Sequence, residues 1–253
     1  MSDTYTNREA AQRYDAAREL PQETSLLWMA KLRDLLPHDS ILSILDLGSG
    51  TGRFVTSLQA EFQCPIIAVD PSEAMLEQCR NRGLNNVVWK YGSAENIPLD
   101  ASSVDLAWMS QVFHHLESPL TALREVFRVL RPAGCLAIRT GTQESDSEIE
   151  WISCFPEAKQ IDDSRLPSQA DIVNLALAQG FDIVTVETVY QYFASSYSEY
   201  YDKISQRGLS SLISISDEAF TTGLAQLNQW VGQQPTDEPV YEPVDLFIFQ
   251  ATK

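Results

Sequence analysis

The stretch ILDLGSGTGRF, residues 44–54, decides the fold. It begins with three apolar side chains around Asp46, the pattern of a strand inside a sheet, and then places glycines at 48, 50 and 52. A chain without Cβ atoms at alternate positions can turn tightly and bring its backbone against a ligand. A dinucleotide, a phosphate group and S-adenosylmethionine each suit such a loop, and the rest of the chain must choose among them.

From about residue 41, apolar runs alternate with helical patterns, the mark of a parallel sheet flanked by helices. Strands are expected at 41–47, 65–70, 87–91, 104–110 and 135–140, with helices at 52–61, 72–82 and 119–130. The last of these helices has Ser118 as N-cap, Pro119 at its first position and an apolar stripe of Leu123, Val126, Phe127 and Leu130. RPAG at 131–134 then turns into the fifth strand. A helix at 169–179 follows, with Ser168 and Asp171 in a capping-box arrangement and Gly180 as its stop. Two strand-like stretches, 181–193 and 241–253, flank amphipathic helices at about 195–233 and suit an antiparallel pair at one sheet edge. The expected fold is an α/β doubly wound, seven-stranded, mostly parallel sheet with an antiparallel last strand and a helical cap. As one domain over 1–253 it divides into leader helices 1–38, a core of 39–193 plus 237–253, and a cap insert at 194–236.

Composition narrows the partners. Of 253 residues 44% are apolar, enough for a sizeable core. With 35 acidic against 18 basic residues the net charge is −17, which repels phosphate backbones and anionic lipid. Neither nucleic acid nor a membrane span is expected, and without a signal-peptide pattern the expected location is cytoplasmic. Cys64, Cys79, Cys135 and Cys154 form no CxxC pair and have no histidine nearby, so packing is expected of them and no metal site. The run TQESDSEIE, 142–150, has four acids and no base; it reads as a solvated loop, or as a mobile acidic rim near a substrate.

A dinucleotide loop needs GxGxxG, whose third glycine lets the helix pack on the strand. Here the spacing is GxGxG, and Arg53 occupies that third place. No Gly-Lys-Ser/Thr follows to make a phosphate-binding P-loop. Asp70 ends the second strand just before Pro71, which puts its carboxylate at the carboxyl edge of the sheet, where it can accept both hydroxyls of a ribose. That feature points to an adenosine without choosing between nicotinamide cofactors and S-adenosylmethionine.

In combination, ILDLGSGTGRF, AVDPSEAML (68–76), GSAENIPLDASSVDLAWMSQVFHHLESPLTALREVFRVLRPAGCLAI (92–138) and the late strand pair resemble the class I S-adenosylmethionine-dependent methyltransferases. Within them the chain looks most like the branch acting on small molecules and quinone-type metabolites, the methyltransferase type 11-like proteins. The resemblance is close over about 41–140 and architectural beyond. It implies S-adenosyl-L-methionine as cofactor and S-adenosyl-L-homocysteine as product. Tyr14 and Arg18 would stand on a leader helix near the methionine carboxylate, Asp46 at the amino end, and Gly48, Ser49, Gly50 and Thr51 under the carboxypropyl chain. Asp70 would hold the ribose, with Pro71 and Met75 beside the adenine. Ser93, Ala94 and Glu95 would surround the adenine amino group, although the family often carries an acid where this chain has Ser93. Ser110 and Gln111 would lie beside the sulfonium. RPAG departs from the usual KPGG, with Ala133 at a turn position.

Methyl transfer from a sulfonium is an in-line displacement, so alignment and exclusion of water are the protein's main contributions. A general base is needed only for an acceptor that must lose a proton. His114 and His115 follow the fourth strand; His114 is the candidate base, and the pair also reads as helix-start residues packing or capping beneath the cofactor. Trp28, Trp151, Phe155, Tyr192, Tyr197, Tyr200, Tyr201 and Trp230 fall in the leader, the loop after strand five and the cap. Together they suit an apolar or aromatic small-molecule acceptor. The competing expectations are a nicotinamide-dependent oxidoreductase and a non-enzymatic cofactor-binding protein with the same fold.

Overall fold

The computed structural model describes residues 21–80 and 83–253. Tyr14 and Arg18 lie outside the described residues. The chain enters through α1 (Gln22–Leu35), then runs β1 (Ile44–Leu47), α2 (Val55–Phe62), β2 (Ile66–Asp70), α3 (Glu73–Arg80), β3 (Val87–Tyr91) and β4 (Val104–Ser110). It continues through α4 (Pro119–Val129), β5 (Leu130–Thr140), the short α5 (Gln143–Asp146), α6 (Pro156–Arg165), α7 (Gln169–Ala178) and β6 (Phe181–Ala194). After α8 (Tyr197–Ser205), α9 (Ser210–Ser214) and α10 (Asp217–Val231), β7 (Val240–Ala251) closes the sheet.

The seven strands lie in the order β3-β2-β1-β4-β5-β7-β6. Neighbours from β3 to β5 are parallel, and β7 is antiparallel to both β5 and β6. This is the expected sheet. The order reverses between β1 and β4, the switch point where doubly wound sheets leave a crevice at their carboxyl edge. Alternation along each strand divides the core. Leu45, Leu47, Ala107, Met109, Leu136 and Ile138 face α4 and α7 on one side, while Ile44, Ile66, Leu106, Trp108 and Ala137 face α1 and α2 on the other. A third cluster, with Trp151, Phe155, Tyr200, Ile204, Leu212 and Leu227, ties the segment after α5 to α8, α9 and α10.

Three details depart from the sequence reading. β5 starts at Leu130, so RPAG lies within the strand as an irregularity, with the register shifting between Val104 and Leu106 and Ala133 at φ 59°. An alanine there carries backbone strain that glycine avoids. Second, the acidic run at 142–150 is only partly the expected solvated loop: Glu144, Glu148 and Glu150 are exposed, but the run opens with a helical turn. Thr142 caps α5 in a capping box with Ser145, and Thr142, Ser145 and Asp146 are all buried. Third, Ser118 precedes α4 but its hydroxyl pairs with Thr121 Oγ1 at 2.8 Å instead of capping the backbone. By contrast Ser168 and Asp171 form the expected capping box of α7.

The helices between β6 and β7 leave and re-enter the sheet at one place, because Ala194 and Val240 are register partners. Helix α1 is fastened to β6: Trp28 Nε1 donates to Gln191 Oε1 at 2.9 Å and Thr24 Oγ1 to the Tyr192 carbonyl at 3.0 Å. Among the described residues, no helix is long and apolar enough to cross a membrane.

Candidate functional site

The glycine loop is held to the end of β2 by its own backbone. Gly48 and Ser49 N–H donate to the Val69 carbonyl at 2.8 and 3.2 Å. Gly50 N–H donates to Asp70 Oδ2 and Ser72 N–H to Asp70 Oδ1, each at 2.8 Å. Asp70 therefore clasps the loop, and each of its oxygens keeps a lone pair for a further donor. Gly48 sits at φ +72°, and a Cβ there would come within 2.3 Å of Val112 Cγ2, so the turn and the packing both demand glycine. Gly50, at φ +55°, would direct a Cβ into open space, with nothing within 4 Å. Beside it the Ser49 hydroxyl oxygen is buried and has no hydrogen-bond partner among the described residues. An open glycine cradle and an orphaned hydroxyl at the switch point fit a nucleoside-bearing ligand.

Two carboxylates meet under this loop. Burial, helped by the neighbouring Asp70 charge and opposed by Arg53, pushes the Asp46 carboxyl up to about 7. Burial also raises Asp70, against the two N–H donors that pull it down. A cation arriving beside Asp46 would favour its ionised form.

At the carboxyl ends of β4 and β5 the side chains converge on a second feature. Gln111 leaves β4 at φ 58° and its N–H donates to the Arg139 carbonyl at 2.7 Å. Such a conformation is strained for glutamine and is held by the ladder around it. Arg139, 3% exposed, donates to Ser110 Oγ at 3.1 Å and Gln191 Oε1 at 2.6 Å, with its guanidinium 4.8 Å from the Trp28 ring. His114 Nδ1 lies 3.3 Å from Thr140 Oγ1, and its ring packs on His115 at 4.1 Å.

Arg53, Gln111, His114 and Arg139 form one wall of a cavity of about 470 Å³. Asp146 and Trp151 supply another part, Gln191, Tyr192 and Phe193 of β6 a third, and Lys203, Ser210 and Ser211 the cap side. The volume suits a small organic molecule. The lining mixes aromatic and charged side chains, and is more polar than the count of aromatic residues led one to expect. Of those aromatics, Trp151 and Tyr192 reach the cavity; Phe155, Tyr197, Tyr200 and Trp230 pack on one another inside the cap cluster.

The structure brings Asp46, Gly48, Ser49, Gly50, Thr51 and Asp70 together around the loop, with Met75 buried on α3. Ser93 bridges Asn96, Ala94 is buried, and the Glu95 carboxylate accepts from Glu117 N–H at 3.1 Å. Glu95 thus serves the turn before α4. Sequence reading missed Arg139 and Gln191, and reached Asp146 only as part of the acidic run read as a solvated loop or a rim near a substrate. The first carried a signal, a lone arginine closing the apolar run CLAIR of a strand buried on both faces.

Comparison with known proteins agrees with this geometry. Residues 45–138 match the family model described as a methyltransferase domain. An uncharacterized methyltransferase of Mycobacterium tuberculosis is 41% identical over 109 residues, 43% of this chain and 43% of that protein. A ubiquinone/menaquinone biosynthesis C-methyltransferase of Rubrivivax gelatinosus is 35% identical over 134 residues, 51% of this chain and 53% of that one. The chain spans about half the length of the curated relatives it matches. For the whole fold, phosphoethanolamine N-methyltransferase 2 of Haemonchus contortus, solved with phosphomonomethylethanolamine and S-adenosylhomocysteine, matches at a TM-score of 0.66. Identity there is 17%, covering 99% of this chain and 58% of that one. Residues 45–138 thus carry a methyltransferase domain, set in a fold that the chain shares along its length with that N-methyltransferase structure.

Proposed function

We propose that the protein transfers a methyl group from S-adenosylmethionine to a small-molecule acceptor lodged in the cavity beside the cap. The observation that carries this reading is the loop clasped by Asp70, with Gly50 open to a ligand, whose continuation at Arg53 also lines that cavity. When bound, S-adenosylmethionine supplies an electrophilic methyl carbon on a sulfonium that departs as a neutral thioether.

The chain's residues bind, orient and shield. Asp46 takes the amino end of the methionine moiety, Asp70 the ribose, and Ser49 offers its unpaired hydroxyl. Gln111, fixed by its bond to the Arg139 carbonyl, lines the cavity, and Ser110 before it is held by Arg139. Aligning two reactants in this way is worth roughly 7–11 kcal/mol in favourable intramolecular models. His114, poised on Thr140, is the group to accept a proton from an acceptor that must lose one. The acceptor presents an apolar or aromatic face to Trp151, Tyr192 and Phe193. The −17 net charge and four buried cysteines, none of them in a disulfide, support a cytoplasmic protein that does not act on nucleic acid. The reading includes one domain laid out as a leader at 1–38, a core of 39–193 plus 237–253, and a cap insert at 194–236.

Calorimetric titration tests the reading. Micromolar or tighter binding of S-adenosylhomocysteine, no binding of NAD, and a loss of about tenfold or more in Asp70→Ala (about 1.4 kcal/mol) are the expected results. Binding of NAD alone would establish the oxidoreductase instead. A screen of small metabolites with labelled S-adenosylmethionine, yielding no labelled product from any of them while the cofactor binds, would favour the non-enzymatic reading.

A further inference from the structure

Several charged side chains lining the cavity are engaged by neighbours among the described residues. Arg165 Nε donates to Asp162 Oδ1 at 2.8 Å and Lys203 Nζ lies 3.0 Å from Glu199 Oε1. Arg139 is held by Ser110 and Gln191, Glu242 shares a hydrogen bond with Tyr200, and Arg53 interacts with Asp46. Asp146 lines the same cavity and is 7% exposed; its backbone bonds within its own turn, with its N–H donating to the Thr142 carbonyl, while its carboxylate makes no hydrogen bond or ion pair among the described residues. Burying a carboxylate without a partner is costly, so folds rarely keep one for packing alone.

The side chain is also fixed in place. Asp146 ends the one-turn helix capped by Thr142, and Thr142 Oγ1 donates to Asp245 Oδ2 at 2.6 Å. Asp245, fully buried on β7, is anchored in turn by Thr188 at 2.7 Å and Gln169 at 3.1 Å. Three elements thus hold Asp146 at the cavity wall. Five residues on, Trp151 lines the same space, with Tyr192 and Phe193 also on its walls. A buried carboxylate together with aromatic faces is the chemistry that receives an ammonium, through a charge-assisted hydrogen bond and cation–π attraction.

We propose that Asp146 binds a protonated amine, and that the methyl acceptor is a small, partly aromatic molecule carrying a basic nitrogen. This rests on the methyl-transfer reading above. The ammonium anchors the acceptor at the Asp146 carboxylate. Burial and the Asp162 charge push the Asp146 carboxyl up to about 6, against Lys159 and Arg165, so it is ionised at neutral pH and ready for a cation.

Calorimetry with three matched probes, 2-phenylethylamine, 2-phenylethanol and phenylacetate, tests it, on protein with and without saturating S-adenosylhomocysteine. The wild type is expected to bind the amine at least about tenfold more tightly than the alcohol and to show no binding of phenylacetate (about 1.4 kcal/mol). Asp146→Asn should lose that preference, keep its affinity for S-adenosylhomocysteine, and melt no lower than wild type, because it sheds an unpaired buried charge. Asp146→Glu should keep the preference. Absence of amine binding, equal affinity for amine and alcohol, a preference that survives in Asp146→Asn, or a fall in that variant's Tm would each overturn the assignment; the last would mark Asp146 as structural. If S-adenosylhomocysteine binds and the amine does not, only this inference falls. If the cofactor fails to bind, the methyl-transfer reading falls, and the cofactor-free titration still decides the amine.

Discussion

The strands β1 to β4 and the segment from α5 to β7 build their ligand spaces by different means. Around the glycine loop the contacts are backbone N–H groups, two carboxylates and positions where a Cβ is excluded, all within residues 46–72. The cavity draws side chains from α1, β5, α5, β6 and the cap, separated by more than a hundred residues. A site made of backbone geometry tolerates little change in sequence, whereas one made of side chains on a supporting frame can be relined. The family match, confined to 45–138, falls on the first kind.

The comparison can be broken from either side. The largest effect is expected from Phe155→Ala, which empties the centre of the cap cluster where Phe155 packs against Trp151 and Phe220. Chemical denaturation should show a loss of about 3–5 kcal/mol, with affinity for S-adenosylhomocysteine within a few-fold of wild type. Collapse of cofactor binding in that variant would show that the two regions are one unit.

Asp46 gives a pH signature confined to the first region. Its folded carboxyl is raised to about 7, above the unfolded carboxylate range, so its contribution to stability is present in acid and is lost as pH rises toward 7. Wild type minus Asp46→Asn should therefore fall by about 3–4 kcal/mol between pH 4 and 8. S-adenosylhomocysteine, with its amino group beside the ionised carboxylate, should flatten that slope. A slope of opposite sign would mean that Asp46 is ion-paired in the free protein.

Gly50→Ala separates folding from binding. Its Cβ meets no protein atom, so stability should drop only by the left-handed strain of about 1–2 kcal/mol, while S-adenosylhomocysteine affinity falls at least about tenfold. Equal affinity would place the ligand elsewhere. The smallest effect is expected from Ala133→Gly, at φ 59° in β5, which should gain about 0.5–1 kcal/mol in thermal denaturation and leave cofactor binding unchanged.

The same division explains what was legible in the sequence. The strand positions, the glycine turn, the Asp70 carboxylate and the Ser168 cap follow from short-range patterns, because each is settled within a few residues. Val87–Tyr91 and Val104–Ser110 end where the apolar runs end. The cavity was not legible in that way. Arg139 meets Gln191 across fifty-two positions of chain, and nothing local to either residue announces the pair. Asp146 was hidden differently: four acids in nine residues look solvated, and only the tether from Thr142 to Asp245 turns one of them inward. The aromatic residues misled for a related reason, since Phe155, Tyr200 and Trp230 are spent on holding the cap together.

The pairing of Ala194 with Val240 makes the whole segment 195–239 a hairpin connection with helices in place of a turn. Its ends already meet on the sheet, and the entropy of closing such a connection grows only with the logarithm of its length. The segment is therefore a cassette. Grafting a differently lined insert between those two residues offers a route to a new acceptor, with the donor machinery of β1 to β4 inherited intact.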